Sequence, residues 1–288
     1  MSTKQPEKKR RCKPKAIKDI DLDSQSASWA WLSNTIVERP PATLRNEFDW
    51  GCKMWLCFDV ETHDLAPSRH DRGWKDGEFG HHCLKVDFSI VRALRAVQVG
   101  WTFGRIDQAE PPKTKKYLIK PVNFEVTDAV SKIHNITHSQ ASEFGHDLSN
   151  VLQELLQDVF AVTGAGGRIC AHQIEFDAAV VDAEIQRAQI DMDSHEHWRS
   201  AVYDGFCTMN PYITEWCCKK YRQGRDTYGQ GTIDPHMACS LPAVAWTLLD
   251  PCEELQAQIH DAGNDSRLGW LIVREYHRRM LQNGDDST

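Results

Sequence analysis

An apolar run that ends in alternating carboxylates, MWLCFDVETHDL at residues 54–65, constrains this chain more than any other stretch. Tryptophan, leucine and phenylalanine at its start predict a buried β-strand. Because side chains alternate between the two faces of a strand, Asp59 and Glu61 project the same way at its end. Two carboxylates on one face repel each other unless a cation lies between them, and Mg²⁺ prefers such oxygen ligands. The pair therefore indicates a metal site, although acidic pairs at strand ends also arise by chance.

The segments that follow predict partners for this strand. Residues 95–104 (RAVQVGWTFG) alternate as a second strand does, and residues 115–120 (KKYLIK) predict a third. The connections predict an antiparallel meander. Residues 149–160 then have apolar residues at helical spacing, with Ser149 as the expected N-cap.

Further along, a short buried strand at residues 168–171 leads into a predicted helix at residues 172–187. A meander followed by alternating helices and strands predicts an α/β fold, in which helices flank a mixed sheet. Asp177 lies in the first turns of that helix. Asp265 lies near the start of a last predicted helix, His260–Met280, about one and a half turns after His260. Because a helical aspartate is usually a cap or a solvated residue, neither aspartate is informative alone.

Four segments, in order, resemble the motifs of the DEDDh 3′→5′ exonucleases, the proofreading-exonuclease superfamily with a ribonuclease-H-like fold. They are CFDVETHDL (57–65), KIHNIT (132–137), AHQIEFD (171–177) and HDAGND (260–265). The chain departs from the family pattern at His63 and Asp64, at Asn135, which replaces glycine, and at Gln173, which replaces asparagine. A histidine followed by aspartate after four intervening residues separates this branch from the tyrosine branch. The resemblance covers about residues 52–282.

This resemblance implies a ribonuclease-H-like, mixed five-stranded sheet with the acidic residues at one end. It implies that Asp59, Glu61, Asp177 and Asp265 bind two Mg²⁺ ions, with Mn²⁺ as a substitute. One ion would orient and acidify a water molecule, while the other would stabilise the leaving 3′-oxygen. His260 would accept the proton of that water, since the ordinary histidine pKa of about 6.5 suits a general base.

Substrate contacts are expected from four residues near these motifs, namely Thr62, His63, Leu65 and His172. An apolar side chain that stacks on the last nucleotide is worth roughly 1–3 kcal/mol per base. Core packing remains an open alternative for Leu65. The choice between RNA and DNA also stays open, because no residue is assigned to a 2′-hydroxyl contact.

The chain is expected to divide into an N-terminal extension (1–50), an exonuclease domain (51–283) and a tail (284–288). Two insertions are expected within the domain, at about residues 66–96 and 191–237. The basic run KKRRCKPK at residues 8–15 is typical of a disordered tail, a nuclear localisation signal or a nucleic-acid-binding arm. The extension and the insertions leave room for a protein partner.

Cysteine usage, apolar runs and net charge indicate the compartment of the protein and whether it spans a membrane or binds nucleic acid. Ten scattered cysteines and no signal-like apolar segment favour a nuclear or cytoplasmic protein that is not secreted. No apolar run approaches the roughly 18 residues of a membrane span. A net charge of −7 is unlike that of a general nucleic-acid binder, but bound metals can present positive charge to phosphate.

We therefore predict a metal-dependent 3′→5′ exonuclease that degrades nucleic acid from a free 3′ end to 5′-mononucleotides. The alternative is a nucleic-acid- or protein-binding module on the same fold, in which catalysis is minor. All four carboxylates and His260 are present, which favours the enzyme.

Overall fold

The computed structural model describes residues 51–65, 91, 93–209, 240–249 and 259–284. The N-terminal extension with its basic run, most of the predicted insertion at 66–96, and residues 210–237 of the second lie outside these ranges. The described strands are β1 (Met54–Thr62), β2 (Ala96–Arg105), β3 (Lys113–Leu118), β4 (Arg168–Ala171) and β5 (Phe206–Cys207). The described helices are α1 (Asp128–His134), α2 (His138–Phe144), α3 (Leu148–Gly164), α4 (Ile174–Arg187), α5 (Met192–Tyr203), α6 (Leu241–Leu248) and α7 (Ala262–Gly284).

The strands form one five-stranded sheet in the order β3-β2-β1-β4-β5. The first three strands are antiparallel neighbours, whereas β1, β4 and β5 run parallel to one another. The predicted mixed sheet with flanking helices is therefore confirmed. Because parallel strands end at the same edge of a sheet, the residues that follow β1, β4 and β5 are brought together there.

Helices cover both faces of the sheet, and the alternation of β1 shows which face is which. Leu56, Phe58 and Val60 belong to the core cluster that also contains the buried residues of α3, α4 and α5. Trp55 and Cys57 belong to the cluster formed with α6 and α7. Asp59 and Glu61 follow Trp55 and Cys57 at intervals of two, so they lie on the face that α7 covers.

Three predicted helix starts differ from the observed ones. Helix α3 is capped by Asp147, whose Oδ1 accepts a 3.1 Å hydrogen bond from the N–H of Asn150, so the expected cap Ser149 was wrong. Helix α4 begins at Ile174 rather than at residue 172, because Gln173 has a left-handed backbone (φ 64°). Helix α7 begins at Ala262, two residues after the predicted start.

The second predicted insertion begins with a helix that is part of the domain. Trp198 of α5 is fully buried in the main core, against Phe58 of β1. Asp182 of α4 ties the two helices together, since its Oδ1 lies 2.6 Å from His195 Nε2 and 3.0 Å from Arg199 Nε. The first part of the predicted insertion, residues 191–209, therefore contains a helix and a short strand that pack with the rest of the domain. None of the helices in the described ranges is both long and apolar enough to cross a membrane.

Candidate active site

The central strand presents two carboxylates at its C-terminal end. Asp59 and Glu61 lie on the α7 face of β1, opposite Gly100 and Gln98 of β2 respectively. Both side chains are partly buried. The predicted projection of this pair from one face of a strand is what the structure shows.

A third carboxylate arrives from the first turn of α4. Asp177 is buried, and its Oδ1 accepts a 3.3 Å hydrogen bond from the backbone N–H of Val60. Val60 lies between Asp59 and Glu61 in the chain. This bond therefore fixes the helix start beside the end of β1.

Helix α7 contributes the fourth carboxylate. Asp265 is only 6% exposed, and its Oδ2 accepts a 3.0 Å hydrogen bond from the backbone N–H of His260. Its Oδ1 is buried and has no hydrogen-bond partner. A buried carboxylate oxygen without a partner costs free energy of desolvation, and a cation bound to this oxygen would offset that cost.

His260 precedes α7 rather than belonging to it. Its backbone is left-handed (φ 65°), which directs the chain sharply into the helix. The side-chain cap of α7 is instead Asp261, whose Oδ1 accepts a 3.1 Å hydrogen bond from the N–H of Asn264. The expected position of His260 on the helix was wrong, because this turn separates the two. Ligand atoms of His260, Glu61 and Asp265 nevertheless all lie within 4.8 Å of one another.

Burial and neighbouring negative charges disfavour the ionised forms of all four carboxyl groups. Burial, and then the charges of the neighbouring carboxylates, raises the pKa of Asp59 well above its ordinary value. Burial and the charge of Glu61 do the same to the pKa of Asp177. Burial and the charges of Asp265 and Asp261 raise the pKa of Glu61 to about 8. Burial and the charge of Asp261 raise the pKa of Asp265 to about 7. A divalent cation would reverse this effect, so the oxygen-rich cluster fits Mg²⁺ or Mn²⁺.

The imidazole of His260 has a different environment. More than a third of the residue is exposed, and partial desolvation of the ring lowers its pKa below the ordinary 6.5. A lowered pKa keeps the ring neutral near pH 7, so it can accept a proton.

The turn after β1 is built by two of the expected substrate residues. Thr62 Oγ1 donates a 2.9 Å hydrogen bond to the carbonyl of Asp64. His63 Nδ1 accepts a 3.0 Å hydrogen bond from the N–H of Arg95, so this ring is engaged in the fold. Leu65 at the end of the turn is 52% exposed, and the alternative that it packs in the core was wrong.

The departure from the family pattern at Asp64 has a local explanation. Its Oδ1 accepts hydrogen bonds from the N–H of Leu65 (2.9 Å) and from Thr127 Oγ1 (3.3 Å). Asp64 therefore stabilises the turn and joins it to the loop before α1. Asn135 occupies a left-handed position (φ 60°) at the end of α1, where asparagine is tolerated in place of glycine.

The segment KIHNIT contributes through buried His134. Its Nδ1 accepts a 3.0 Å hydrogen bond from the N–H of Ile136, so its Nε2 carries the hydrogen and donates to the carbonyl of Thr62 at 3.3 Å. This segment thus supports the end of β1 from outside the sheet. His172, the remaining expected substrate residue, lies after β4 and shares a 2.8 Å hydrogen bond between Nδ1 and Thr208 Oγ1.

Three features that hold the start of α7 against the sheet were not predicted from the sequence. These are buried Gln98, which contacts the helix start, Gly100, which leaves no space for a side chain, and the 2.7 Å ion pair between Lys116 and the cap Asp261. In the sequence, the Gln98 contact was indicated only by a glutamine within an apolar strand pattern. Its partner lies 164 residues away, so the pattern did not identify it.

Solved structures with a similar fold are exonucleases and an RNase domain. E. coli exonuclease I in a complex with single-stranded DNA matches 81% of this chain with a TM-score of 0.53 and 13% identity, but the match covers 42% of that chain. Exonuclease I from Methylocaldum szegediense matches 80% of this chain with a TM-score of 0.50 and 16% identity, over 41% of its own length. This chain therefore spans less than half of either exonuclease I.

The RNase domain of the yeast Pop2 protein matches over most of both chains. It covers 89% of this chain and 83% of its own, with a TM-score of 0.51 and 11% identity. No family model and no curated protein matches the sequence. At these identities the comparisons show the fold alone, which this chain shares with solved exonucleases and an RNase domain.

Proposed function

We propose that this protein is a divalent-metal-dependent 3′→5′ exonuclease that degrades nucleic acid to 5′-mononucleotides. One observation carries the proposal: four carboxylates from three separate elements converge at the end of β1, next to a histidine. Ion pairs or hydrogen bonds normally accompany buried carboxylates, yet Asp265 Oδ1 has no hydrogen-bond partner. The fold shared with solved exonucleases supports the same function.

Asp59, Glu61, Asp177 and Asp265 are the residues that would hold the metal. An all-oxygen set favours Mg²⁺, with Mn²⁺ as a substitute, and two ions are proposed by analogy with the family. When bound, the metal supplies positive charge that acidifies water and stabilises the charge that develops on the phosphate and the leaving oxygen.

The side chain of His260 provides a proton acceptor. Water attacks the terminal phosphorus, the bond from phosphorus to the 3′-oxygen of the preceding nucleotide breaks, and a nucleoside 5′-monophosphate leaves. His260 accepts the proton of the attacking water, and the departing 3′-oxygen gains a proton from solvent. Because partial desolvation lowers its pKa, the imidazole is in the basic form at neutral pH.

The turn after β1 is the proposed contact for the terminal nucleotide. Leu65 is exposed there and can stack on a base, while Thr62 and His63 hold the turn. His172 follows β4, which pairs with the edge of β1 that faces away from β2. The solved relatives include a complex with single-stranded DNA and an RNase domain, so both DNA and RNA remain substrates to test.

The deciding experiment uses end-labelled single- and double-stranded RNA and DNA with Mg²⁺, with Mn²⁺ and with excess chelator. We expect stepwise release of 5′-mononucleotides from the 3′ end, which chelator abolishes and a 3′-phosphate hinders. Full activity in chelator contradicts metal dependence, and cleavage of a circular substrate contradicts an exonuclease. Absence of cleavage of all four linear substrates favours a binding module on the same fold.

The location of the protein is a separate proposal. The basic run at residues 8–15 and the scattered cysteines favour the nucleus or the cytoplasm. Imaging of the full chain, with and without residues 1–15, tests it, and secretion of the full chain contradicts it.

A further inference from the structure

Gln98 is a buried polar residue of β2 beside the carboxylate cluster. It is 4% exposed and pairs across the sheet with Glu61. Its Oε1 accepts a 2.7 Å hydrogen bond from the backbone N–H of Ala262. Ala262 is the first residue of α7, and N–H groups in the first turn have no acceptor within their own helix. Gln98 therefore supplies from the sheet an acceptor that the helix lacks.

The same stretch of β2 contacts the helix start at close range. A Cβ atom on Gly100 would lie 2.3 Å from both the carbonyl carbon and the carbonyl oxygen of Ala262, so only glycine fits. Gly100 is the cross-strand partner of Asp59, as Gln98 is of Glu61. The two β2 residues opposite the β1 carboxylates thus both lie against Ala262.

The position of Ala262 matters because of what flanks it. His260 lies two residues before it and Asp265 three residues after it, and the two are joined by the His260 N–H to Asp265 Oδ2 bond. A displacement of Ala262 would therefore move the side chains of His260 and Asp265 relative to Glu61. Ligand atoms of these three residues lie within 4.8 Å of one another.

We propose that Gln98 is a positioning residue that holds the start of α7, so that Asp265 and His260 face Glu61. Gln98 acts through the Ala262 N–H. The inference rests on the proposed function only where it assigns metal binding and proton transfer to these residues.

Two substitutions separate the acceptor from the volume of the side chain. Gln98→Met keeps an unbranched side chain of similar length and removes the acceptor. Gln98→Glu keeps an oxygen that can accept from Ala262. Thr102→Val is the matched control, because buried Thr102 also lies on β2 and its Oγ1 is 3.1 Å from Oγ of Ser266, four residues after Ala262 in α7.

The first measurement is hydrogen exchange of the Ala262 amide in the full chain without metal. We expect this amide to be protected in the wild type, in Gln98→Glu and in Thr102→Val, and to exchange faster in Gln98→Met. Equal protection in Gln98→Met and wild type would overturn the inference, because the hydrogen bond would then contribute nothing to the helix start.

The second measurement is Mn²⁺ affinity, determined by electron paramagnetic resonance. Loss of a group that orients a ligand typically costs about 10–100-fold in metal affinity, and we expect this for Gln98→Met. Gln98→Glu is compared by amide exchange only, because its added charge opposite Glu61 would itself change metal binding. If Thr102→Val weakens Mn²⁺ binding as much as Gln98→Met, the effect is general destabilisation and the positioning role is rejected.

Turnover on a 3′-labelled oligonucleotide gives a third measurement that depends on the proposed function. Gln98→Met should lower kcat by about 10–100-fold and leave KM close to the wild-type value, because Gln98 is buried and bonded to the helix start. A change confined to KM contradicts this. If the wild type cleaves no nucleic acid, the proposed function fails, while amide exchange and Mn²⁺ affinity still decide the role of Gln98.

Discussion

Asp265 uses its two carboxylate oxygens differently: Oδ2 accepts the backbone N–H of His260 at 3.0 Å, and Oδ1 is buried without a hydrogen-bond partner. One oxygen thus holds the turn that carries the proposed general base, and the other remains for a cation. Burial and the nearby Asp261 raise the pKa of this carboxyl to about 7, although the His260 N–H opposes the shift. In the proposed mechanism Asp265 would therefore link proton transfer to metal binding within one side chain.

The substitution Asp265→Asn should separate these roles. The amide oxygen of asparagine can still accept from the His260 N–H, but a ligand charge is lost. We expect Mn²⁺ affinity and turnover to fall, and the melting temperature in chelator at pH 8 to rise, because a buried like charge is removed. Metal titration and thermal melting check this. A lower melting temperature in chelator would mean that the carboxylate stabilises the metal-free fold.

The sheet was largely predictable because its signals are local. The alternation in β1 and β2, and the buried run of β4, lie within single short segments, and the predicted strand at residues 168–171 coincides with the observed one. The start of α7 was predicted two residues early. Asp261 is a good helix cap and stood in the sequence, but the left-handed turn at His260 depends on contacts with Asp265 and with the sheet.

Burial of polar residues was the part that could not be predicted. Helix α5 is rich in polar residues, and its place in the domain depends on the contacts of His195 and Arg199 with Asp182 in another helix. Gln98 depends in the same way on Ala262. In both cases the partner that makes burial favourable is distant in the sequence, so no local pattern contains it.

Leu65→Ala should weaken binding of the terminal nucleotide without changing stability. Leu65 is 52% exposed, so its removal should alter the free energy of unfolding by less than about 0.5 kcal/mol. Loss of a stacking contact worth roughly 1–3 kcal/mol would weaken binding about 5- to 150-fold. Met192→Ala, at a residue 71% exposed on α5, is the matched control. Equal KM values for wild type and Leu65→Ala would exclude this contact.

Asp182→Ala should destabilise the domain while sparing the metal site. Asp182 is fully buried and contacts His195 and Arg199, and removal of one partner from such a buried group costs about 3–5 kcal/mol. The exposed pair of Arg105 and Asp107 is the comparison, since loss of a surface pair costs about 1 kcal/mol or less. Urea unfolding measures both. Equal costs would show that the Asp182 contacts add nothing beyond a surface ion pair.

Stability without metal should fall as the pH rises from about 5 to 8. The pKa of Glu61 in the fold is about 8 against an ordinary 4.5, and that of Asp265 is about 7 against 3.8. The folded state therefore binds protons that the unfolded chain has already lost, and the free energy of unfolding decreases with pH. Mg²⁺ should suppress this decrease, because it binds the ionised carboxylates.

Urea unfolding between pH 5 and 8.5, in chelator and in Mg²⁺, measures this effect. Burial, followed by the charge of Cys207, raises the pKa of Glu175 to about 8, and Glu175 is outside the proposed ligand set. Its part of the pH dependence should persist in Mg²⁺ and disappear in Glu175→Gln. A metal-free protein whose stability rises steadily with pH would contradict the raised pKa values.

His260→Ala should lower turnover strongly and leave folding almost intact. Loss of a general base typically costs about 10²–10⁴-fold in rate. The side chain that caps α7 is Asp261, so loss of the His260 imidazole leaves the cap in place, and the backbone N–H of residue 260 still binds Asp265.

Asp59→Ala should differ in kind, because it removes a carboxylate from the centre of the cluster and weakens Mn²⁺ binding as well. Turnover, melting and Mn²⁺ affinity on both variants distinguish the two roles. Near-normal turnover in His260→Ala would remove the imidazole from the mechanism, whereas a large loss of Mn²⁺ affinity would assign it to the metal instead.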